Sequence, residues 1–392
     1  MRHHARTRRR GVGSGSGSAR RASMRLKETA RTRLGDAVLR AAATSARRQI
    51  GVSDPIALVI QPDHLGDIVL STPAVRRMRA DLPQHRLIAL VGPWSAEITR
   101  LLWPVDEVRT LQFPAFQRDS RSATPSPFAR LRMATEEVAA INADRAFVMR
   151  PDDRWSAALA MAAGIPTIIT GDDPRTRKFA TTVAPTSTVE HRAAKALLIA
   201  SAGTPAHLTS PTYVEYPLAI HLDNSGRCEH HRRYAVVHPG AGAPVKHWPQ
   251  HRWRVVVEAL LERGLDVFVT GSATEVAMCA EIVTGRSAVN LAGKTTLREL
   301  VEVLQQAAIA VGTDNGPMHL AVGLGAPTVG LFGPSNPREF GPWGSPSLHK
   351  VIHAGWKCPR CYDLSPTRAE GCGCMLAISP DSVVAAIDDL LA

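Results

Sequence analysis

The nine residues Thr313-Asp314-Asn315-Gly316-Pro317-Met318-His319-Leu320-Ala321 follow a short apolar run and open a helical pattern. A strand that leads into a helix predicts an α/β fold, and the junction is an anion site, because free backbone N–H groups and the positive end of the helix dipole meet there. Gly316 lets a phosphate approach the backbone, and Asp314 can accept hydrogen bonds from sugar hydroxyls. His319 lies one turn into the helix and can point back toward the phosphate. The alternative is that Asp314 or Asn315 caps the helix and His319 is a surface residue.

A second glycine-rich stretch, His238-Pro239-Gly240-Ala241-Gly242-Ala243-Pro244-Val245-Lys246-His247-Trp248-Pro249, also follows an apolar run and precedes a helical pattern. Gly240 frees the backbone for close approach, and Lys246 offers a mobile positive charge suited to a leaving diphosphate. The alternative for Lys246 is a solvated surface position. We expect Trp248 to pack rather than to contact a ligand. Neither stretch completes the Walker or dinucleotide-binding patterns, which argues against phosphate-loop ATPases and dehydrogenases.

Near the N-terminus, Gly66-Asp67 closes an expected loop that follows the apolar run 56–60 and precedes a helix. At the carboxyl end of a parallel strand, this carboxylate is expected to face a cleft. An acceptor hydroxyl attacks an anomeric carbon well only if it loses its proton, and an unpaired carboxylate can take that proton. The alternative is that Asp67 is the N-cap of the following helix.

Strand and helix patterns alternate from Pro55, lose periodicity between 213 and 233, and restart at Tyr234. The strands predicted are 56–60, 86–91, 146–149, 167–170, 234–238, 266–270, 309–313 and 328–332. This alternation predicts mostly parallel sheets covered by helices. We expect a basic arm at 1–50, an acceptor-side Rossmann-like domain at 51–215, a linker at 216–233 and a nucleotide-binding Rossmann-like domain at 234–392. A ligand site is expected in the cleft between two such domains.

Positive charge is concentrated at the N-terminus. Residues 1–50 hold 14 Lys+Arg and 2 Asp+Glu, which leaves 33 of the 47 basic and 33 of the 35 acidic residues for the rest of the chain. A neutral body argues against a nucleic-acid-binding domain. From Met24 the spacing predicts a basic amphipathic helix that can lie on an anionic membrane surface, with a solvated helix or a start at Met24 as the alternative. Because the arm has no apolar signal-peptide core, we expect a cytoplasmic protein.

Together these stretches resemble glycosyltransferase family 9, the bacterial ADP-heptose:lipopolysaccharide heptosyltransferases. The resemblance runs from about residue 56 to the C-terminus, and its motifs occur in the expected order. The residues that carry it are Asp63-His64-Leu65-Gly66-Asp67, Ser71-Thr72-Pro73-Ala74, His238-Pro239-Gly240-Ala241, Lys246-His247-Trp248-Pro249, Asn290-Leu291-Ala292-Gly293-Lys294-Thr295-Thr296-Leu297, Asp314-Asn315-Gly316-Pro317-Met318-His319-Leu320-Ala321, Gly325-Ala326-Pro327 and Leu331-Phe332-Gly333-Pro334.

The resemblance implies an α/β fold of the GT-B type, two Rossmann-like domains facing across a cleft, and an inverting, metal-independent transfer from an ADP-activated heptose at the cytoplasmic side of the inner membrane. It implies that Asp67 is the general base. On the donor side, Lys246 would bind the donor phosphate and Asp314 the donor sugar. Gly240 is expected on the donor side from its glycine-rich loop. Asn315, Gly316 and His319 would surround the diphosphate, and Thr295 would lie by the adenine.

Four of the six cysteines form two close pairs, Cys358 with Cys361 and Cys372 with Cys374. A disulfide framework is not expected in a reducing compartment. Free thiols are one interpretation. A structural Zn²⁺ held by all four is the other, although the Cys-x-Cys spacing of the second pair departs from the usual one.

The sequence therefore predicts an inverting glycosyltransferase that moves a heptose or related sugar from an ADP-sugar to a lipopolysaccharide core or other envelope glycan acceptor, without a required cofactor. One alternative is a GT-B transferase or epimerase that uses a UDP-sugar. Another, of a different class, is a non-catalytic envelope-assembly or nucleic-acid-binding protein that acts through the basic arm. First-domain loops at 112–132 and 172–178 are the expected acceptor contacts.

Overall fold

The computed structural model describes residues 55–114, 116, 127–203, 233–355 and 373–392. Strands in these segments pair into two six-stranded sheets, and all of the pairings are parallel. Both sheets have the doubly wound arrangement, in which the strand order reverses direction beside the first strand of the sheet. The carboxyl ends of the strands next to such a reversal form a crevice where ligands of α/β proteins bind.

The first sheet is formed by β1 (Ile56–Gln61), β2 (Arg86–Val91), β3 (Glu107–Thr110), β4 (Arg145–Val148), β5 (Thr167–Gly171) and β6 (Thr182–Ala184). Its strand order is β3-β2-β1-β4-β5-β6, so that β1 and β4 flank the reversal. The helices of this half are α1 (Leu65–Asp81), α2 (Ala96–Leu102), α3 (Pro127–Ala139), α4 (Arg154–Ala162) and α5 (Arg192–Ala202).

The second sheet is formed by β7 (Tyr234–His238), β8 (Asp266–Val269), β9 (Val289–Asn290), β10 (Ile309–Thr313), β11 (Thr328–Phe332) and β12 (His349–His353). Its strand order is β12-β11-β10-β7-β8-β9, so that β7 and β10 flank the reversal. The helices of this half are α6 (Gln250–Glu262), α7 (Val276–Val283), α8 (Leu297–Gln305), α9 (Gly316–Gly323), α10 (Pro337–Phe340), α11 (Gly373–Leu376) and α12 (Pro380–Leu391).

The central strands are apolar along their whole length because helices cover both faces of each sheet. All five residues of β7, β10 and β11 are buried. One apolar cluster also continues from the first half into the second, since it includes Val69 on α1, Leu197 on α5, Leu304 on α8 and Leu320 on α9. The two sheets are therefore joined by apolar packing directly behind α1 and α9.

A polar contact between the halves lies at the start of α5. His191 stacks on Trp343 with ring centroids 4.6 Å apart, and its Nε2 lies 3.1 Å from the carbonyl oxygen of Gly341. Glu339 on α10 pairs with Arg192 at 3.2 Å. Burial lowers the pKa of His191 to about 4, so the ring is neutral and its Nδ1 accepts from the Ala193 N–H. The proton then lies on Nε2, which donates to Gly341 across the boundary.

The strands expected at 86–91, 234–238, 309–313 and 328–332 are confirmed residue for residue. The expectation that Gly66 and Asp67 belong to a loop is wrong, because α1 begins at Leu65 with His64 as its N-cap residue. A carboxylate in the first turn of a helix is stabilised by the helix dipole, which favours this earlier start.

The arm at 1–50 and residues 216–232 of the expected linker lie outside the described residues, as do the positions 117–126 of the first acceptor loop. Among the helices that the structure describes, none is long and apolar enough to cross a membrane.

Candidate functional site

Three of the predicted stretches meet at the facing carboxyl edges of the two sheets. Asp67 follows β1, Gly240 and Lys246 follow β7, and Asp314 follows β10. These strands flank the order reversals of their sheets, which is where the fold itself places a ligand crevice.

On the second sheet, Asp314 is held by the side chains of a lysine and a histidine. Lys246 Nζ lies 2.6 Å from Asp314 Oδ2, and His319 Nε2 lies 3.3 Å from Oδ1. Lys246 also donates to the Asp314 carbonyl oxygen at 3.3 Å. Burial opposes ionisation of Asp314, but the Lys246 charge and the His319 hydrogen bond outweigh it and hold the pKa of the carboxyl below its usual range. The site therefore presents an ionised, oriented carboxylate.

This cluster decides two of the alternatives left open by the sequence. Lys246 is not a solvated surface residue, because its side chain is 16% exposed and bonded to Asp314. His319 is buried rather than on the surface, with 8% of the residue exposed.

Asn315 is the residue that caps α9, and it also links the helix to the glycine loop. Its Oδ1 accepts from the Met318 N–H at 3.0 Å, whereas its Nδ2 donates to the Gly240 carbonyl at 2.7 Å. Thr313 Oγ1 donates to the same carbonyl at 2.7 Å. The capping interpretation is therefore correct for Asn315. Because its amide is engaged at both ends, this residue can serve a ligand through its backbone.

The first domain meets this cluster through two glycines. A Cβ atom on Gly66 would lie 2.9 Å from His319 Cδ2, and one on Gly316 would lie 3.2 Å from the Gly66 backbone nitrogen. The starts of α1 and α9 thus touch with no room for side chains between them. Asp67 is the next residue after Gly66 in the same first turn of α1, so it is one residue from this contact.

Asp67 is half-buried in the first turn of α1. The N-cap alternative is wrong, because His64 occupies the N-cap position and α1 has no side-chain cap bond. Within the described residues, the Asp67 carboxylate has no hydrogen-bond or ion-pair partner. A carboxylate in that state can accept a proton from a bound hydroxyl.

Asp63 and Arg150 were not found from the sequence. Asp63 is 4% exposed and pairs with Arg150, which follows β4, the neighbour of β1 in the sheet. Burial raises the pKa of Asp63 to about 7, the Asp67 charge adds to this, and the Arg150 charge opposes it. The sequence does show an acidic residue four positions before Asp67, which could have suggested Asp63. No local pattern indicates its partner Arg150, which is 87 positions away along the chain.

Glu275 is a second residue that the sequence did not reveal. A Cβ on Gly240 would lie 2.1 Å from Glu275 Oε1, so the carboxylate lies directly on the glycine loop. Its Oε2 accepts from the Ser272 N–H at 2.7 Å. Glu275 follows β8, the second strand of the unit β7-α6-β8, and in Rossmann folds an acid near this place binds ribose hydroxyls.

Thr295 lies just before α8, where Thr296 rather than Thr295 is the N-cap residue. Its segment packs against the Glu275 turn, since Gly293 N–H donates to the Gly271 carbonyl at 2.9 Å. Thr295 is therefore two residues from the contact of its segment with the turn that leads to Glu275.

Of the four paired cysteines, Cys374 is buried in α11, and Cys358, Cys361 and Cys372 lie outside the described residues. No group of three or more His, Cys, Asp or Glu in the described segments is arranged to hold a metal ion. The zinc interpretation stays a prediction from the sequence.

Comparison with known proteins gives the family. Residues 134–362, more than half of the chain, match the model of glycosyltransferase family 9 (heptosyltransferase). The chain belongs to glycosyltransferase family 9. Its fold is correspondingly of the GT-B type, with two parallel six-stranded sheets.

Two curated members of the family illustrate the similarity. The chain is 33% identical over 129 residues to lipopolysaccharide heptosyltransferase 1 of Pseudomonas aeruginosa, which covers 33% of this chain and 36% of that protein. It is 29% identical over 175 residues to lipopolysaccharide heptosyltransferase 3 of Escherichia coli, a match that covers 43% of this chain and 49% of that protein. The match thus spans less than half the length of these two relatives.

Solved structures of the family share the fold over most of both chains. ADP-heptose lps heptosyltransferase II of E. coli superposes with a TM-score of 0.65 at 22% identity, covering 86% of this chain and 98% of that one. A family 9 glycosyl transferase from Veillonella parvula superposes with a TM-score of 0.67 at 20% identity, covering 88% of this chain and 98% of that one.

Proposed function

We propose that this family 9 member is an inverting glycosyltransferase that moves a heptose, or a related sugar, from an ADP-sugar to a lipopolysaccharide core or other envelope glycan. The observation that carries the proposal is the contact of Gly66 with His319. This contact brings the first turn of α1, which carries the unpaired Asp67 carboxylate, against the Lys246–Asp314–His319 cluster of the other half.

The donor side is assigned to the second sheet. Lys246 and the backbone at the start of α9 offer positive charge to a leaving diphosphate. Asp314 is ionised and fixed, which suits it to accept hydrogen bonds from sugar hydroxyls. Glu275, on the glycine loop, is assigned to the ribose hydroxyls, and the Thr295 segment beside it to the base.

The proposed reaction is a single displacement. The acceptor oxygen forms a bond to the anomeric carbon, its proton passes to Asp67, and the bond from that carbon to the ADP oxygen breaks. The negative charge that develops on ADP is stabilised by Lys246 and by the N–H groups that open α9. One displacement inverts the anomeric configuration, and no step is assigned to a metal ion.

The names of relatives support the choice of sugar. The two curated relatives are named lipopolysaccharide heptosyltransferases. A structurally similar E. coli protein, heptosyltransferase WaaC, was solved with ADP and with ADP-2-deoxy-2-fluoro heptose. We propose heptose as the donor sugar here on that basis, with a lipopolysaccharide-type acceptor at the cytoplasmic face of the inner membrane.

Replacement of the base tests the reaction. Because general-base catalysis contributes about 10²- to 10⁴-fold, Asp67→Asn should lower kcat by that order while the Kd for ADP stays within about twofold. Asp81→Asn, at the other end of α1, is the matched control and should transfer normally. A normal rate for Asp67→Asn would refute the base assignment.

The donor nucleotide and the functional class of the protein are tested in separate experiments. Calorimetry with ADP-, UDP- and GDP-heptose or hexose identifies the nucleotide, and mass spectrometry of lipid-linked oligosaccharide from cells with and without the gene identifies the product. Tighter binding of UDP-sugars would favour the UDP-sugar alternative. A non-catalytic role would be favoured by two results together. The oligosaccharide would be unchanged in cells without the gene, and deletion of residues 1–50 would by itself abolish the function of the protein in the cell.

The cofactor prediction is tested by metal analysis. We propose that transfer needs no cofactor, and the four paired cysteines leave a structural zinc as the alternative. A more distant structural neighbour, TibC of E. coli, is described as iron-containing, with a TM-score of 0.52 and 16% identity. Stoichiometric zinc or iron in the purified protein would decide for a structural metal here.

A further inference from the structure

The Arg150 side chain lies between several carboxylates beside the proposed base. It donates through Nη1 to Asp63 Oδ1 and through Nε to Asp152 Oδ1 at 2.9 Å. Asp67 is close enough that its charge stabilises the charged guanidinium of Arg150 and opposes the charged form of Asp63. Two carboxylates, Asp63 and Asp67, therefore compete for one cation.

Arg150 pairs with Asp63 rather than with Asp67 because Asp63 is fixed in place by hydrogen bonds. Its Oδ2 accepts from Gln61 Nε2 at 2.8 Å. Its backbone carbonyl accepts from Ser95 Oγ at 2.7 Å and from Trp94 Nε1 at 3.1 Å. The loop after β1 thus presents Asp63 to Arg150 in one orientation.

Stability alone gives no reason for this pair. Desolvation of a buried ion pair commonly cancels its Coulombic gain, so an apolar pair of similar volume would serve the fold as well. The side chain of Asp63 is 5% exposed and that of Arg150 is 28% exposed. A buried acid that engages an arginine near the unpaired Asp67 carboxylate has a further consequence for that carboxylate.

We propose that Asp63 is a positioning residue that holds the Arg150 guanidinium away from Asp67 and so keeps the base unpaired. The inference rests on the proposed function of Asp67. An ion pair with Arg150 would stabilise the Asp67 carboxylate and weaken it as a proton acceptor, because it would favour the charged form. Asp63 prevents this by taking the guanidinium for itself.

The buried position of Asp63 gives the proposal a consequence for pH dependence. Burial raises the pKa of Asp63 to about 7, and the nearby Asp67 charge also raises it. The positive charges of Arg150 and of Arg192 on α5 lower it. Below about pH 7, Asp63 takes up a proton and its attraction for Arg150 falls. The guanidinium, still bonded through Nε to Asp152, can then turn its Nη1 toward Asp67, so transfer should lose activity on acidification through this range.

The decisive experiment is a double replacement in the full-length protein. Asp63→Asn removes the charge that holds Arg150, and kcat at about pH 8 should fall about tenfold or more while ADP affinity stays within about twofold. Arg150→Met in the Asp63→Asn background removes the released cation, and most of the lost rate should return. A double variant no faster than Asp63→Asn would overturn the proposal. A rate that falls and returns only in parallel with the free energy of unfolding would overturn it as well, because a purely structural pair also regains stability when both charges are removed.

The pH profile provides a second measurement if Asp63→Asn folds poorly. Wild-type kcat/KM should show an acid limb near pH 7, and Arg150→Met should lack that limb because it has no guanidinium to release. Persistence of the limb in Arg150→Met would contradict the mechanism. These outcomes are separable from failure of the proposed function, since full activity of Asp67→Asn would refute the base itself, whatever Asp63 does.

Discussion

Gly66 and Gly316 lie against each other at the boundary between the two halves. A Cβ on Gly316 would lie 2.6 Å from Leu65 Cδ2 and 3.2 Å from the Gly66 backbone nitrogen. Neither glycine has a positive φ angle, so the requirement is for space rather than for an unusual backbone conformation. The two helix starts can approach each other this closely because both side chains are hydrogen atoms.

Gly316→Ala should therefore reduce transfer without unfolding the protein. The added methyl group forces α1 and α9 apart, and a displacement of about 1 Å at a reacting centre can cost about a hundredfold in rate. Steady-state kinetics would measure the loss in kcat, and calorimetry would show whether ADP still binds. Gly316→Ala with wild-type kcat would mean that the two helix starts separate during catalysis.

Lys246→Met should lower both stability and donor affinity. Loss of the lysine leaves Asp314 buried without its nearest counter-charge, which costs about 3–5 kcal/mol in the free energy of unfolding. Lys246→Met/Asp314→Asn removes both charges and should regain stability, yet ADP affinity should stay low because the diphosphate lacks its cation. Urea unfolding and ADP calorimetry measure the two quantities.

Lys350→Met is the matched control, because this lysine lies on the edge strand β12 and its Nζ is 3.4 Å from the exposed carboxylate of Asp389. It should leave both the free energy of unfolding and the ADP affinity nearly unchanged. Recovery of ADP affinity in the Lys246→Met/Asp314→Asn variant would show that Lys246 acts only on Asp314.

Asn315→Asp should separate the two roles of this side chain. Aspartate can still accept from the Met318 N–H, so the cap of α9 persists, but it cannot donate to the Gly240 carbonyl. We expect weaker ADP binding with a helix that remains capped. Asn315→Ala removes the cap as well and should cost a further amount, about 1 kcal/mol, in the free energy of unfolding. Equal ADP affinity in Asn315→Asp and the wild type would refute the role of the link to Gly240.

Stability should fall as the pH is lowered from about 6.5 toward 4. Burial lowers the pKa of His191, His238 and His349 from 6.5 to about 4. The unfolded chain therefore binds more protons than the folded one in this window, so protonation favours unfolding. Asp63 acts in the opposite sense, because its raised pKa stabilises the fold as the pH falls below about 7. Three histidines outweigh one aspartate.

Urea unfolding at about pH 7 and at about pH 5 would measure this dependence. His191→Phe keeps a ring against Trp343 but cannot titrate, so its dependence on pH should be shallower. The exposed His251, on α6, provides the control, since His251→Gln should follow the wild type. A free energy of unfolding that is constant between the two pH values would contradict the buried neutral histidines.

The sequence was most informative where one strand is buried on both faces. Apolar runs such as 309–313 and 328–332 have no solvent face, so their bounds were predicted without error. Short or alanine-rich elements such as β3, α4 and α5 were not assigned, because their apolar pattern is weak and tertiary packing decides their structure. The start of α1 was placed too late for a related reason, since Gly66 reads as a loop residue until its contact with His319 is known.

The residues of the candidate site also fall into two groups, those that the sequence indicates and those that only the structure identifies. Asp67, Lys246 and Asp314 follow strands at the expected edge, and residue type with position was enough to nominate them. Arg150 and Glu275 could not be nominated, because their significance comes from contacts with Asp63 and Gly240 that are distant along the chain. Local patterns do not encode such pairings.

The shared carbonyl of Gly240 restricts how this protein could be re-engineered. Thr313 and Asn315, on the segment that leads from β10 into α9, both donate to that one oxygen. A chimera that imported only a foreign glycine loop would leave two donors aimed at a misplaced acceptor. Grafts intended to change nucleotide selectivity should therefore carry the loop and residues 313–315 as a single cassette from the same parent.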